Sequence, residues 1–488
     1  MNSIFGNGIV AKSAPGFTRS RAILPCSPRA QAKLFDCFRS KAGPAVGIRT
    51  PRHVIVPMLL IAASVPGSQA AEPRERNDVV HYQVREGDTL HDLGKRHFWR
   101  PADHLIVQRL NRLGNPRNMR THSVLIIPRS FLRYKTVEAR ILAFRGKGSI
   151  RQGTRSRPVA VGMAVREGDV LNTPANASLS LGFPDNSVVT LPSQSQMRVE
   201  RLRLLSLTNV VEREFRVLSG QARGLITPMS SPDDVFQFRT PHSISAVRGT
   251  QLRVSYSATN ARSSTEVLEG KVAVAKETGA APHMVEPGFG IVSTPGVAGA
   301  PTRLLPAPAL AQPDRVQDED QLMFPIQPLS GAVAYRAEIS EDAGFLAIES
   351  EAKGGPVIAM PTVRDGIWFV RISAIDGKEL EGFTKTYSFR RRLLSLQASS
   401  ERTRSDGFDQ YLFRFASQGS GRFQYHFQLF RDGVTEPMID EPGLGDDKFA
   451  LTNLPPGDYH WRVGILQFVD GEVHQKWSPN QQLSVVGN

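Results

Sequence analysis

The chain predicts a mainly β, multidomain protein: one small β–α–α–β unit, then a larger all-β domain, then two copies of a β-sandwich. Three observations carry this. Over 79–130, helical spacing of apolar residues sits between two alternating runs. From about Val137, short apolar runs alternate with polar residues between Gly, Asn and Asp turns, and no helix of useful length is indicated. Near the end, Gly366-Ile-Trp-Phe-Val-Arg371-Ile recurs 91 residues later as Gly457-Asp-Tyr-His-Trp-Arg462-Val, and Tyr335-Arg-Ala-Glu-Ile339 matches Tyr425-His-Phe-Gln-Leu429.

Residues 1–71 read as a leader. Arg49 and Arg52 precede an apolar run, Val54 to Ala63, and Ser68-Gln69-Ala70 offers a small-residue exit, the layout of a secretory signal peptide. The run is too short to span a bilayer, which needs about 20 apolar residues. The basic, Ser/Pro/Gly-rich stretch before it is unlike a normal n-region. A misassigned start codon explains it most simply, with a transit-like leader and a retained signal anchor as alternatives. Both cysteines, Cys26 and Cys37, lie upstream of this exit, so the exported chain would hold no disulfide, thiol nucleophile or cysteine metal site. The leader carries nine Lys/Arg against one Asp, which leaves near +6 of the formal +14. Twelve Lys/Arg against seven acids over 72–134 hold about +5 of that, a local field that favours anionic polymers.

The unit at 79–130 begins with Tyr82 and Val84 alternating with Gln83 and Arg85, and Gly87 permits a sharp turn. Thr89 is placed to cap a helix, with Asp92 bonding back as in a capping box, and Leu90 and Leu93 share its buried face. After Pro101, Leu105, Ile106 and Leu110 form a second apolar stripe that ends at Asn111 and Gly114. With Asn115-Pro116 and Leu125-Ile126-Ile127-Pro128, this order resembles a LysM module over about 50 of 488 residues. The resemblance implies a βααβ fold that holds N-acetylglucosamine-containing glycan, most often peptidoglycan, at Gly87, Asp88, Thr89 and Leu90 with Asn111, Leu113 and Asn115 opposite. The lesser reading of Gly87, Asp88 and Thr89 is a helix-capping corner and no more. Two positions depart from the family: His122-Ser123 stands where a Gly-Gln pair is usual, and Gly94 where alanine is usual.

In the next domain, 137–294, Leu179, Leu181 and Phe183 alternate with Ser178, Ser180 and Gly182, and Pro184-Asp-Asn186-Ser turns the chain toward Val188 and Leu191. Phe236 and Phe238, then Leu252, Val254 and Tyr256, repeat the alternation. Val165-Arg-Glu-Gly168-Asp-Val-Leu-Asn-Thr173, Thr240-Pro241, Val247-Arg-Gly-Thr250, Val267-Leu-Glu-Gly270-Lys-Val and Glu286-Pro-Gly288, in that order, resemble the periplasmic FecR domain. In the founding branch of that family the domain relays receptor occupancy to a sigma factor. Val247-Arg-Gly-Thr250 reads as a turn opening a strand in preference to a ligand site.

Residues 295–323, rich in Pro, Ala and Gly with an acidic patch at Asp318-Glu-Asp320, read as a linker. The repeats follow as sandwiches at 324–392 and 405–486 and resemble fibronectin type III or other immunoglobulin-like domains, with Trp368 and Trp461 as core aromatics. No His-Glu-x-x-His, Gly-x-Ser-x-Gly or phosphate loop occurs, so no catalytic residue, metal or cofactor is assigned. The expectation is a non-catalytic periplasmic protein that contacts peptidoglycan and an envelope protein partner but no nucleic acid. The alternative is an envelope signalling element related to FecR sensors.

Overall fold

The computed structural model describes residues 78–486 apart from 118, 277–280 and 406–407. The leader, Cys26 and Cys37 lie outside the described residues.

Strands Val79–Gln83 and Val124–Pro128 pair antiparallel, Val80 opposite Ile127 and Tyr82 opposite Leu125. Helices Leu90–His97 and His104–Leu110 lie between them in the chain, the second preceded by a 3₁₀ turn at Pro101–Asp103. Val80, Tyr82, Leu90, Leu93, Val107, Leu125 and Ile127 form the interior. Thr89 caps the first helix as expected: its Oγ1 accepts from the Asp92 amide at 3.1 Å. The return bond differs, because the Thr89 hydroxyl itself donates to the Asp92 carboxylate at 2.6 Å. Gly94 has a steric reason, since a Cβ there would lie 2.8 Å from the Pro101 carbonyl. The expected second stripe is not core. Val107 is buried, whereas Leu105, Ile106 and Leu110 face outward.

The all-β domain runs from Tyr134–Thr136 to Thr302–Arg303 and closes into a barrel. Its spine is a long hairpin, Ser195–Leu205 and Val211–Leu225. Val211–Leu225 also pairs parallel with Val235–Arg239, from Glu212 opposite Val235 to Arg216 opposite Arg239. The alternation read from sequence places Leu179, Leu181, Phe236, Phe238, Leu252 and Val254 in the core, where Phe215, Phe236 and Phe238 contact one another ring to ring. Asn186, with φ +64°, makes the turn after Pro184, and Gly270, with φ +75°, joins Arg262–Glu269 to Val272–Ala275.

The boundary expected between 130 and 137 is not a free joint. The hairpin tip places Leu205, Leu207 and Val210 in the core of the N-terminal unit. Arg129 reaches across to Glu212 at 3.1 Å and the Asp233 carbonyl at 2.6 Å.

Nor is 295–323 a solvated linker. Val297–Ala298 and Thr302–Arg303 pair with Phe289–Thr294 of the barrel. Leu304 and Leu310 are buried, and the Gln317 side chain bonds both the amide and the carbonyl of Met323. The Arg391 guanidinium donates to the carbonyls of Gln317 and Glu319. Proline removes backbone donors, which lets the rest of this strap pack with few sheet partners.

The first sandwich sets Leu322–Pro325 and Val357–Met360 against the sheet ordered Ser350–Gly354, Ala332–Ser340, Gly366–Asp376, Glu381–Arg391. The second begins at Leu394, earlier than expected, because Leu394–Ser405 pairs along its length with Phe408–Gly419. Its other sheet runs Ile439–Leu444, Arg422–Arg431, Gly457–Val469, Glu472–Trp477, with Gln481–Val485 on the Gly457 end. Trp368 and Trp461 are both core residues.

The barrel and the first sandwich meet through buried ions. Arg223 lies 2.6 Å from Glu338, which also accepts from Arg371 at 2.8 Å. Arg253 donates to the carbonyls of Glu381 and Gly382 at 2.7 and 2.8 Å, and Arg336 sits 3.3 Å from the Glu381 carboxylate. Burial alone raises a carboxyl, yet Arg223, Arg371 and Arg336 hold Glu338 down at about 2. Glu266 has fewer cations beside it, and burial pushes it up to about 7.

Candidate functional site

The corner at 85–90 is built by its own side chains. Gly87 turns at φ +80°, with open space where a Cβ would lie. The Asp88 carboxylate then closes the turn, accepting from the Arg85 amide at 2.8 Å and the Tyr82 hydroxyl at 2.6 Å. Burial, and next the bond to Asp88, push the Tyr82 hydroxyl up to about 12. Leu90 is wholly buried, and its amide donates to the Pro116 carbonyl at 3.1 Å, which ties this corner to the loop after the second helix.

On the opposite side, Asn111 is a clamp. Its amide nitrogen donates to the carbonyls of Val107 and Ile126, both at 2.8 Å, and its oxygen accepts from the Ile126 amide at 2.7 Å. Leu113 packs half-buried on the core, its amide bonded to the Gln108 carbonyl at 3.0 Å. Asn115 is exposed and accepts from the Arg117 amide at 3.0 Å.

The structure thus brings all seven expected residues to two joined loops but divides their work. Asp88, Leu90 and Asn111 spend their side chains on the scaffold. The amides of Gly87, Thr89, Gly114 and Asn115 donate to no protein acceptor among the described residues. Free backbone donors on adjoining loops can hold carbonyl groups of a ligand, such as the acetamido oxygen of an amino sugar.

A neighbouring cleft of about 380 Å³, lined by Tyr82, Arg85, His122, Leu207 and Thr208, has no counterpart in the sequence reading. It exists because the hairpin tip of the barrel reaches the N-terminal unit, a contact between residues more than 100 positions apart. A larger cavity, about 640 Å³, lies where Arg145, Arg364, Arg391 and Ser420 converge beside Trp368. Its charges are largely matched internally, Arg145 to Glu349 and Arg364 to Glu341. Among the described residues no group of three or more His, Cys, Asp or Glu side chains is placed to hold a metal ion.

These domains define a multidomain β protein whose barrel carries a known family's signature: residues 169–273 match the FecR protein family. The match begins inside one flanking motif read from the sequence, leaving out residues 165–168 of Val165–Thr173, and excludes all of Glu286–Gly288. Among solved structures, a candidate anti-sigma factor from Parabacteroides distasonis is 18% identical, with 28% of this chain covered and a TM-score of 0.23. This chain spans 59% of that protein's length. The fibronectin(III)-like modules of Clostridium thermocellum CbhA are 10% identical over 36% of this chain and 90% of theirs, with a TM-score of 0.18. The chicken CNTN1 FN1–FN3 domains are 11% identical over 52% and 98%, with a TM-score of 0.17. Overlaps this slight carry no argument, and the fold rests on the strand pairings above. No curated protein matches the chain.

Proposed function

We propose that the chain is a non-catalytic periplasmic protein that binds peptidoglycan through its LysM-like N-terminal unit and presents the FecR-like and sandwich domains for contact with an envelope protein. The observation that supports this most is the pair of joined loops with free amides at Gly87, Thr89, Gly114 and Asn115. Their donors suit the N-acetyl groups that recur along a glycan strand. The basic surroundings suit the carboxylates of the stem peptides. A second reading, an envelope signalling element, is favoured by the FecR match at 169–273. It differs in needing a partner that responds to ligand.

Gly114→Trp tests the binding reading better than changes at Asp88 or Asn111, which would damage the scaffold. Gly114 is exposed with open space around its Cβ direction, so an indole there obstructs the loops without straining the core. Co-sedimentation of the intact protein with purified peptidoglycan should weaken about tenfold, a loss of about 1.4 kcal/mol, with unchanged unfolding temperature. Equal sedimentation of the variant would place wall contact elsewhere.

A further inference from the structure

The second helix of the N-terminal unit turns its apolar residues toward solvent. At about 100° per residue, Leu105, Arg109, Ile106 and Leu110 occupy one arc, and Val107, Asn111 and Gln108 the other. The inner arc is fully committed: Val107 is buried, and Asn111 and Gln108 bond backbone groups. On the outer arc Leu105, Ile106 and Leu110 are 51%, 42% and 40% exposed, and Trp99, just before the helical segment, is 54% exposed. Single exposed apolar side chains are ordinary. Three on one arc of a seven-residue helix call for an occupant.

The charges around them select it. Lys95, Arg96, Arg100, Arg109 and Arg112 are all exposed on or beside this helix pair. A second copy laid on the same face would oppose these cations to themselves. A hydrated polysaccharide offers little for aliphatic side chains to enter. An anionic lipid surface satisfies both features.

We propose that this face docks on anionic membrane, with Leu105, Ile106 and Leu110 at the boundary between headgroups and acyl chains and the basic side chains against lipid phosphates. The contact is interfacial: among the described residues no helix is long and apolar enough to cross a membrane. It uses side chains other than those of the glycan-binding loops, so the two readings fail separately.

The test uses residues 71–488, which form one compact unit and lack the apolar run of the leader. Sedimentation with phosphatidylglycerol/phosphatidylethanolamine vesicles should exceed that with phosphatidylcholine at least tenfold and should fall as salt rises. The triple variant Leu105→Ser, Ile106→Ser, Leu110→Ser should lose about tenfold in vesicle binding while keeping its peptidoglycan sedimentation and unfolding temperature. Absence of binding to anionic vesicles, or equal binding by the triple variant, overturns the proposal. So does a concentration-dependent dimer abolished by the same substitutions, which would make a second copy the occupant.

Discussion

The two sandwiches share a framework and differ at one cross-strand pair that decides what each face does. In the first, Glu338 stands opposite Arg371; in the second, at matching positions, Gln428 stands opposite Arg462. The Glu338 face is covered by the barrel, and the carboxylate serves both Arg371 and the incoming Arg223. The Gln428 face is open. There Arg462 donates to Gln428 at 2.8 Å and lies over the Trp477 ring at 4.6 Å. Glu338 serves two cations, whereas Gln428 serves one and donates its own amide proton to Asp440 at 2.8 Å. The duplication therefore supplied the strands, and the choice of Glu or Gln fixed which copy could be docked.

The largest effect separating the copies should come from removing the acceptor. Glu338→Ala removes the carboxylate that Arg223 and Arg371 share and should cost about 3–5 kcal/mol, read as a lowered first unfolding transition of the intact protein. Gln428→Ala removes two hydrogen bonds, one accepted from Arg462 and one donated to Asp440, and should cost about 1–2 kcal/mol. Equal costs would mean that the ionic contact between barrel and sandwich is not formed in solution.

The docked copy should also be the pH-sensitive one. Glu338 is held at about 2, below its ordinary 4.5, so its stabilising contribution is present above 4.5 and is lost as pH falls toward 2. Glu266 is raised to about 7, so its contribution is complete below 4.5 and is lost as pH rises through about 7. Glu266 faces Arg253, Ser264 and Glu381, and only Arg253 opposes the rise as a cation. The unfolding temperature of the barrel–sandwich unit should therefore fall between pH 5 and pH 8. Glu266→Gln should flatten that fall, and an unchanged slope in the variant would assign the dependence to another group.

Much of the framework was legible because it is local. Thr89 announced a helix start by residue type and spacing, Gly270 a break between strands, and the alternation through Leu179, Leu181 and Phe183 a buried face. The repeat could be read directly because both copies keep Gly366 and Gly457 at strand starts with similar φ, +142° and +152°. What stayed hidden depends on distant partners. Helical spacing at Leu105, Ile106 and Leu110 shows a stripe but not which side meets the core. Prolines at 295–323 mimic a linker because composition cannot show that Gln317 and Arg391 tie the strand down. At the two joined loops of the N-terminal unit the sequence indicated which residues lie together but not that Asp88, Leu90 and Asn111 would be consumed as scaffold.

The smallest effects should fall where the copies agree. The 91-residue offset aligns Trp368 with Tyr459 in place of Trp461, and both buried rings donate to a carbonyl four residues upstream. Trp368 Nε1 bonds the Arg364 carbonyl at 2.9 Å, and the Tyr459 hydroxyl bonds the Pro455 carbonyl at 2.7 Å. One device thus pins the loop before the same strand in each sandwich, with two ring systems interchangeable because each is a flat apolar body with one donor at its tip. Tyr459→Phe keeps the packing and deletes the donor, so it should cost about 1 kcal/mol in the transition of the second sandwich. Trp368→Phe should cost more, because it also removes ring volume from a closed core. If Tyr459→Phe proves neutral while Trp368→Phe does not, packing alone holds these strands, and the shared bond is a consequence of the common framework and not a cause of it.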